Sequence, residues 1–201
     1  EIFMGLNIDY IYGQTPLAEE ELEELLIKTI STKGELDEFE QQNIETAVEW
    51  SLKQKFSSTN ILSTVFVSEV LRRMFDRVWG WAGTFRNSNK NIGVDKILIP
   101  RELKLLFDDC AYWIENNTFS HDEMAIRFKH RIVQIHPFPN GNGRHSRLCA
   151  DILVSHAFGL PVFSWGGYNL TDPGARRQQY FDALHNADAG DLEPLIAFAR
   201  S

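Results

Sequence analysis

Apolar residues recur at intervals of three and four positions along most of this 201-residue chain, and that spacing restricts its fold more than any other feature. In STVFVSEVLRRMFDRVWGW, residues 63–81, the apolar side chains share one helical face; they are Val67, Val70, Leu71, Met74, Phe75 and Val78. Comparable spacing elsewhere predicts seven or eight helices in total. The sequence therefore predicts a mainly α fold.

Residues at the ends of these stretches indicate where helices begin. Thr15, followed by Pro16 and a run of acidic residues, predicts a helix start. The apolar positions that follow at helical spacing are Leu22, Leu25, Leu26 and Ile30. STKGEL, residues 31–36, interrupts this pattern before a second helix begins. Further on, Ser120 with Glu123 three residues later has the form of a capping box.

One segment lacks the helical spacing. AGTFRNSNKNIGVDKILIP, residues 82–100, places glycine and asparagine residues between short β-prone pieces. This arrangement is typical of a hairpin. We therefore expect a helical bundle that carries one small β-hairpin, closed by Pro100.

Composition and charge argue against several classes of protein. A formal net charge of −8 disfavours a nucleic-acid-binding surface, which needs a basic footprint. No apolar run approaches the roughly 18 residues of a membrane-spanning helix, and the first residues lack the pattern of a signal peptide. Cys110 and Cys149 lie in apolar helical patterns and are expected to be reduced core thiols, which favours the cytoplasm.

The run HPFPNGNGRHSR, residues 136–147, is unlike the helices around it. Its two glycines permit close backbone approach or positive φ, and a helix is predicted to begin directly after them. The free N–H groups at the start of a helix favour an anion. Arg144 and Arg147 lie three residues apart on the first turns of that helix, and the guanidinium group matches phosphate geometry. The run therefore predicts a site for a polyphosphate.

His136, at the start of this run, carries an imidazole that can accept a proton near neutral pH. Next to bound phosphates, such a base can deprotonate a hydroxyl that attacks them. The chemistry that these residues indicate is the transfer of part of a nucleotide to a hydroxyl. A carboxylate-bound divalent metal usually bridges such phosphates.

The run resembles the signature of the Fic family, H-P-F-x-[D/E]-G-N-G-R-x-x-R, at eleven of twelve positions. The similarity extends to LRRMFDRVWGWAGTFR, residues 71–86, which looks like the family's helix before its hairpin flap. It also includes YFDALHNADAGDLEPLIAF, residues 180–198, which looks like the family's C-terminal segment. STKGELDEFEQQNI and the signature together are most similar to the subgroup called mobile mystery protein B. The resemblance implies a Fic domain over residues 36–201, with residues 1–35 as an N-terminal extension.

This resemblance implies that AMP is transferred from ATP to a hydroxyl side chain of a target protein. His136 is implied to be the base, and Arg147 to contact the γ-phosphate. The implied anion hole for the phosphates consists of Gly141, Asn142, Gly143 and Arg144.

The resemblance also assigns the surroundings of the nucleotide. The flap, about Asn91 to Pro100, is implied to align the target by strand addition; its docking residues are Asn91, Ile92, Gly93 and Val94. The adenine pocket is implied to use Tyr180, Phe181 and Asp188. Asp188 stands where the family pattern leads us to expect asparagine, which leaves the base preference open.

Asn140 departs from the signature, because the family has there the acid that holds Mg²⁺. An amide oxygen ligates Mg²⁺ without contributing charge, so metal binding is expected to weaken. Three interpretations stay open. The metal is held mainly by ATP, or the enzyme uses another phosphate-containing donor, or the site only binds nucleotide. The retention of His136, Asn142 and both arginines favours a catalytic site.

Ser31 and Glu35 have the S-x-x-x-E spacing of an inhibitory segment found in many Fic proteins. In that segment the glutamate pairs with the second arginine of the signature. Leu36 stands where glycine or asparagine is expected, and a plain turn between helices explains the stretch equally well.

Two further alternatives remain from the sequence. A metal hydrolase could recruit His121, His130 and His145, although their spacing matches no common zinc motif. A catalytically silent nucleotide-binding module, held by a regulatory partner protein, would also retain much of the signature.

Overall fold

The computed structural model describes residues 15–167 and 174–201, and within these ranges the chain is mainly α, as predicted. Nine α-helices occupy the described residues: α1 Glu19–Glu23, α2 Lys33–Lys53, α3 Ser58–Ile61, α4 Thr64–Phe75, α5 Ile99–Asn116, α6 His121–Ile135, α7 Asn142–Ile152, α8 Ala175–Asp188 and α9 Glu193–Arg200. A π-helical segment, Leu153–Ala157, follows α7, and two 3₁₀ turns cover Lys96–Leu98 and Trp165–Gly167.

The helices α6 and α7 pack against each other and lie at the centre of the domain. Helix α2 packs on α4, α5 packs on α6, and α8 packs on α9. The predicted apolar face of α4 is buried, as are Trp79 and Trp81, whose rings stack with centroids 5.3 Å apart. The core therefore fixes the two helices that carry the signature run.

The prediction of a helix from Thr15 to Ile30 is wrong for most of that stretch. Only α1 is helical in this stretch. The residues after α1 form backbone hydrogen bonds with the segment after α4 instead of continuing the helical hydrogen bonds. The Leu26 N–H donates to the Val78 carbonyl over 2.8 Å, and the Gly80 N–H donates to the Glu24 carbonyl over 2.9 Å. Thr15 itself lies outside any helix and does not cap α1, whose N-cap residue is Ala18.

The predicted β-hairpin is also absent, since no β-strand forms within residues 15–167 and 174–201. Arg86 is the physical reason, because its buried guanidinium organises the segment as a loop. Its Nε donates to the His136 carbonyl over 2.6 Å, and its other nitrogens donate to the carbonyls of Ser88 and Val94. The Val94 N–H donates to the Ile135 carbonyl over 3.3 Å. Backbone groups that a hairpin would pair internally bond instead to the end of α6.

Predictions that depend on neighbouring residues are confirmed. Ser120 caps α6 by accepting the Glu123 N–H over 3.2 Å, whereas the Glu123 carboxylate binds Arg127 and does not complete the predicted capping box. Cys110 and Cys149 are buried free thiols. Within the described residues, no helix is both long and apolar enough to cross a membrane. Residues 1–14 of the predicted N-terminal extension lie outside the described residues.

Candidate active site

The signature run forms the connection between α6 and α7. Helix α6 ends at His136, whose φ of 53° and ψ of 60° place a non-glycine residue in the left-handed region. Gly141 precedes α7 with a φ of 76°, and a Cβ at this position would lie 2.6 Å from the Phe75 ring. The left-handed backbone at His136 and the glycine at position 141 both place the His136 imidazole beside the start of α7.

The loop between these residues is held by the Asn142 side chain. Its Oδ1 accepts the Phe138 N–H over 3.0 Å, and its Nδ2 donates to the Phe138 carbonyl over 2.8 Å. Both polar atoms of this amide are therefore used inside the loop, and the backbone N–H of Asn142, in the first turn of α7, has no partner within the helix.

His136 is buried, with 5% of its surface exposed. Burial is the main reason that the pKa of its imidazole falls to about 4; the positive charges of Arg86 and Lys90 act in the same direction, and the Val133 backbone acts against them. The ring is therefore neutral at physiological pH and able to accept a proton. Its Nε2 lies 3.3 Å from the Thr15 hydroxyl.

The two arginines of the run have different partners. Arg144 forms an ion pair with Glu40 of α2 over 2.6 Å, and Glu40 also accepts the Trp79 indole N–H over 2.7 Å. The Arg147 guanidinium lies 5.4 Å from the centre of the Tyr180 ring. Both arginines line the same cavity and are partly accessible from it.

This cavity has a volume of about 540 Å³, which suits a ligand of nucleotide size. The predicted phosphate-binding residues at the start of α7 form one wall. The predicted adenine-pocket residues form another wall, from α8; they are Tyr180, Phe181 and Asp188. The structure therefore brings together His136, the start of α7 and the residues predicted for the adenine pocket.

Asp188 is engaged by two neighbours in this wall. Its Oδ1 lies 2.8 Å from the His130 Nε2 and accepts the Gln134 amide over 3.2 Å. His130 thus belongs to the edge of the cavity. Among the described residues, no group of three histidine, cysteine or acidic side chains is placed to hold a metal, and His145 is buried with its Nε2 against the Val67 carbonyl. The metal-hydrolase interpretation finds no support in this geometry.

The residues predicted for target docking lie beside His136 although they form no hairpin. Asn91 and Ile92 line the cavity. Gly93 has a φ of 95°, and a Cβ there would lie 2.7 Å from the His136 Cβ. Glycine at 93 therefore allows the loop to approach His136 closely, and the Val94 N–H joins the loop to α6.

Asn140 makes two hydrogen bonds inside the chain. Its Oδ1 accepts the Gly141 N–H over 2.6 Å, which fixes the orientation of the amide, and its Nδ2 donates to the Thr15 carbonyl over 3.0 Å. An Mg²⁺ ion prefers several free oxygen ligands. The amide oxygen adds no charge to a metal site and already accepts one hydrogen bond, so Asn140 is a poorer fit for Mg²⁺ than a carboxylate.

Ser31 and Glu35 lie at the start of α2. The Glu35 carboxylate accepts N–H groups from Ser31 and Thr32 over 2.9 and 3.0 Å, and these hydrogen bonds lower its pKa. Ser31 and Glu35 do not line the cavity. Glu40, one and a half turns further along α2, is the acid that reaches Arg144, and the inhibitory role of Glu35 stays a prediction.

Sequence reasoning missed four residues of this site: Thr15, Glu40, Arg86 and Lys90. Thr15 lies 121 positions from His136, and Glu40 lies 104 positions from Arg144, so no local spacing indicates either contact. The sequence around Arg86 contained one indication of its role. An arginine in a loop rich in glycine and asparagine has backbone carbonyls nearby to which it can donate.

Comparison with known proteins agrees with this geometry. Residues 61–154 match the model of the Fic/DOC family. A protein adenylyltransferase Fic of Drosophila grimshawi is 31% identical over 119 residues, which are 58% of this chain and 23% of the relative. The chain therefore spans about a quarter of the length of this curated relative.

Two solved structures show the same fold. The N-terminal Fic domain of a VirB-translocated Bep effector protein from Bartonella quintana has a TM-score of 0.68 at 18% identity, covering 87% of this chain and 84% of that chain. The BepC protein of Bartonella tribocorum with bound AMPPNP has a TM-score of 0.66 at 18% identity, covering 91% of this chain and 97% of that chain. The chain thus has a mainly α, Fic-type helical fold, distantly homologous to protein adenylyltransferases.

Proposed function

We propose that this chain is a protein adenylyltransferase that transfers AMP from ATP to a side-chain hydroxyl. The observation that carries the proposal is the cavity that contains the neutral base His136, the start of α7 and both arginines. The homology to a protein adenylyltransferase and the AMPPNP bound to a protein of the same fold support it.

The start of α7 is the phosphate site in this proposal. The N–H groups of its first turn have no partners within the helix and attract negative charge. Asn142 and Gly143 supply these groups, whereas the Gly141 N–H already donates to the Asn140 Oδ1 and Gly141 contributes its close backbone approach. Arg144 and Arg147 neutralise the phosphates. The cavity wall from α8 receives the adenine against Tyr180 and Phe181, with Asp188 at its edge.

The reaction is a displacement at the α-phosphorus. The acceptor hydroxyl oxygen forms a bond to this phosphorus while the bond to the β-phosphate oxygen breaks, and pyrophosphate leaves with the bonding electrons. His136 takes the hydroxyl proton on Nε2, in the tautomer that carries its hydrogen on Nδ1. The arginines and the helix N–H groups stabilise the charge that develops.

Magnesium enters this proposal as part of the substrate, MgATP. Asn140 offers the metal no charge, and its oxygen is engaged by Gly141. Metal affinity of the enzyme therefore depends on the ATP phosphates.

The target segment docks against the loop Asn91–Val94, which lies next to His136. The close approach of Gly93 to the base places any segment bound on this loop near the reacting atoms. A regulatory partner protein and a cytoplasmic location are consistent with the sequence, and membership of the mobile mystery protein B subgroup stays a prediction.

Incubation with α-labelled ATP and Mg²⁺ tests the proposal. We expect label that stays on protein after denaturation with the native chain, and at least about 100-fold less with His136→Ala, because general-base catalysis contributes about this much. The alternative is the catalytically silent module, which the loss of the acid at position 140 favours. ATP binding without protein-bound label would support the module and contradict the transferase.

A further inference from the structure

The hydroxyl of Thr15 lies where the proposed reaction needs an acceptor. Its Oγ1 is 3.3 Å from the His136 Nε2, although the two residues are 121 positions apart. Thr15 lines the same cavity as the start of α7. In the described part of the chain, no other side-chain hydroxyl hydrogen-bonds to the His136 ring.

The backbone around Thr15 is bound from two sides. Asn140 donates to the Thr15 carbonyl over 3.0 Å, and Lys90 donates to the Pro16 carbonyl over 3.3 Å. Lys90 also forms an ion pair with Glu21, and both of these side chains are 6% exposed. Residues 15–21 are therefore clamped between the loop after α6 and the loop that holds the predicted docking residues.

The clamped segment has the form of a bound peptide rather than of a helix end. Residues 15–18 have no regular secondary structure, Ala18 has extended backbone angles, and α1 begins only at Glu19. The usual structural role of a threonine before a helix is to cap it, but Ala18 occupies the N-cap position here and its N–H is bound by the Glu21 carboxylate over 2.7 Å. The Thr15 hydroxyl is turned to His136 instead.

We infer that Thr15 is an acceptor of this active site and that the chain transfers AMP from ATP to its own Thr15 hydroxyl. This inference rests on the transferase function proposed above. The Thr15 Oγ1 forms the new bond to the α-phosphorus, the bond to the β-phosphate oxygen breaks, and pyrophosphate leaves. The hydroxyl proton passes to the His136 Nε2 and from there to solvent.

Two consequences follow from the position of Thr15 within the same chain. The reaction is intramolecular, so the fraction modified per unit time does not depend on protein concentration. The segment also occupies the acceptor position, so a hydroxyl of another protein reaches His136 only when residues 15–18 have left it.

The test is to incubate the full chain with α-labelled ATP and Mg²⁺, and to locate the AMP group by mass spectrometry of proteolytic peptides. Thr15→Val removes the hydroxyl at nearly constant shape, Thr15→Ser keeps it, and His136→Ala removes the base. We expect AMP at position 15 in the native chain and in the conservative Thr15→Ser variant. We expect none at this position in the other two variants, and a rate unchanged by tenfold dilution.

The outcomes separate this inference from the proposed function. AMP on other residues with Thr15 unmodified, or total label unchanged in Thr15→Val, would overturn the inference and leave the transferase function standing. A rate that falls in proportion to dilution would show transfer between chains and would also overturn it. Absence of label from every form, although ATP binds, would overturn both.

Discussion

Asn140 makes a pair of hydrogen bonds that an aspartate could not make. Its amide nitrogen donates to the Thr15 carbonyl while its oxygen accepts from Gly141. A carboxylate has no donor, so it would place an oxygen against the Thr15 carbonyl. The residue that departs from the family signature therefore helps to hold the segment around Thr15 against His136.

We predict that Asn140→Asp lowers the Mg²⁺ concentration for half-maximal transfer by about tenfold, because the new carboxylate adds a charged metal ligand. The same change is expected to weaken the attachment of Thr15, because it removes the hydrogen bond from residue 140 to the Thr15 carbonyl. Magnesium titrations of label transfer measure the first effect. Asn140→Ala is the control, since it frees Thr15 without adding charge and should leave the metal requirement as in the native chain. Coincident titrations of the native chain and Asn140→Asp would show that residue 140 is not at the metal.

At the scale of elements, the start of α7 is the feature that defines the site. Gly143 lies in this first turn and lines the cavity, and a Cβ there would meet no protein atom within 4 Å. Gly34 in the first turn of α2 has equally open surroundings but does not line the cavity. The two glycines have similar positions in their helices and similar open surroundings, but only Gly143 lies at the proposed phosphate site.

We predict that Gly143→Ala weakens ATP binding by about tenfold or more, because the added methyl group narrows the phosphate site. Gly34→Ala should leave ATP affinity unchanged. Both changes should preserve folding or stabilise it by about 0.5 kcal/mol, since alanine is the better helix former. Calorimetric titration with ATP and urea unfolding measure the two quantities. Equal ATP affinity in both variants would contradict the placement of the phosphates at α7.

The whole molecule carries buried titratable groups whose effects on stability differ in sign. Burial lowers the pKa of His136 and His145 to about 4, whereas the unfolded value is about 6.5. Between these values the unfolded chain binds more protons, so stability falls as the pH decreases. Burial raises the pKa of Asp151 to about 6, and protonation of the folded state opposes this fall.

We predict that the free energy of unfolding is lower at pH 5 than at pH 7 by about 2 kcal/mol, the sum of two histidines and one opposing acid. Urea unfolding at the two pH values measures it. Asp151→Asn removes the opposing group and should make the decrease larger. Equal or greater stability of the native chain at pH 5 would contradict the neutral, buried state of the histidines.

The features that could be predicted from the sequence are those encoded by neighbouring residues. The capping of α6 by Ser120, the apolar face of α4 and the grouping of His136 with Arg144 all depend on short spacings. The contacts of Thr15 with His136 and of Glu40 with Arg144 join distant parts of the chain, so no local pattern reveals them. Tertiary hydrogen bonds also override local propensity at two places. The hydrogen bonds of Arg86 hold residues 86–94 as a loop instead of a hairpin, and the bond from Leu26 to Val78 replaces the continuation of the first helix.

The central claim is that His136 directs breakage of the bond between the α- and β-phosphates of ATP. Parallel incubations of the native chain and His136→Ala with α-labelled and with γ-labelled ATP test it most directly. We predict that the native chain retains the α label and releases the γ label as pyrophosphate, and that His136→Ala retains neither. Protein-bound γ label, or equal α label on both forms, would contradict the account.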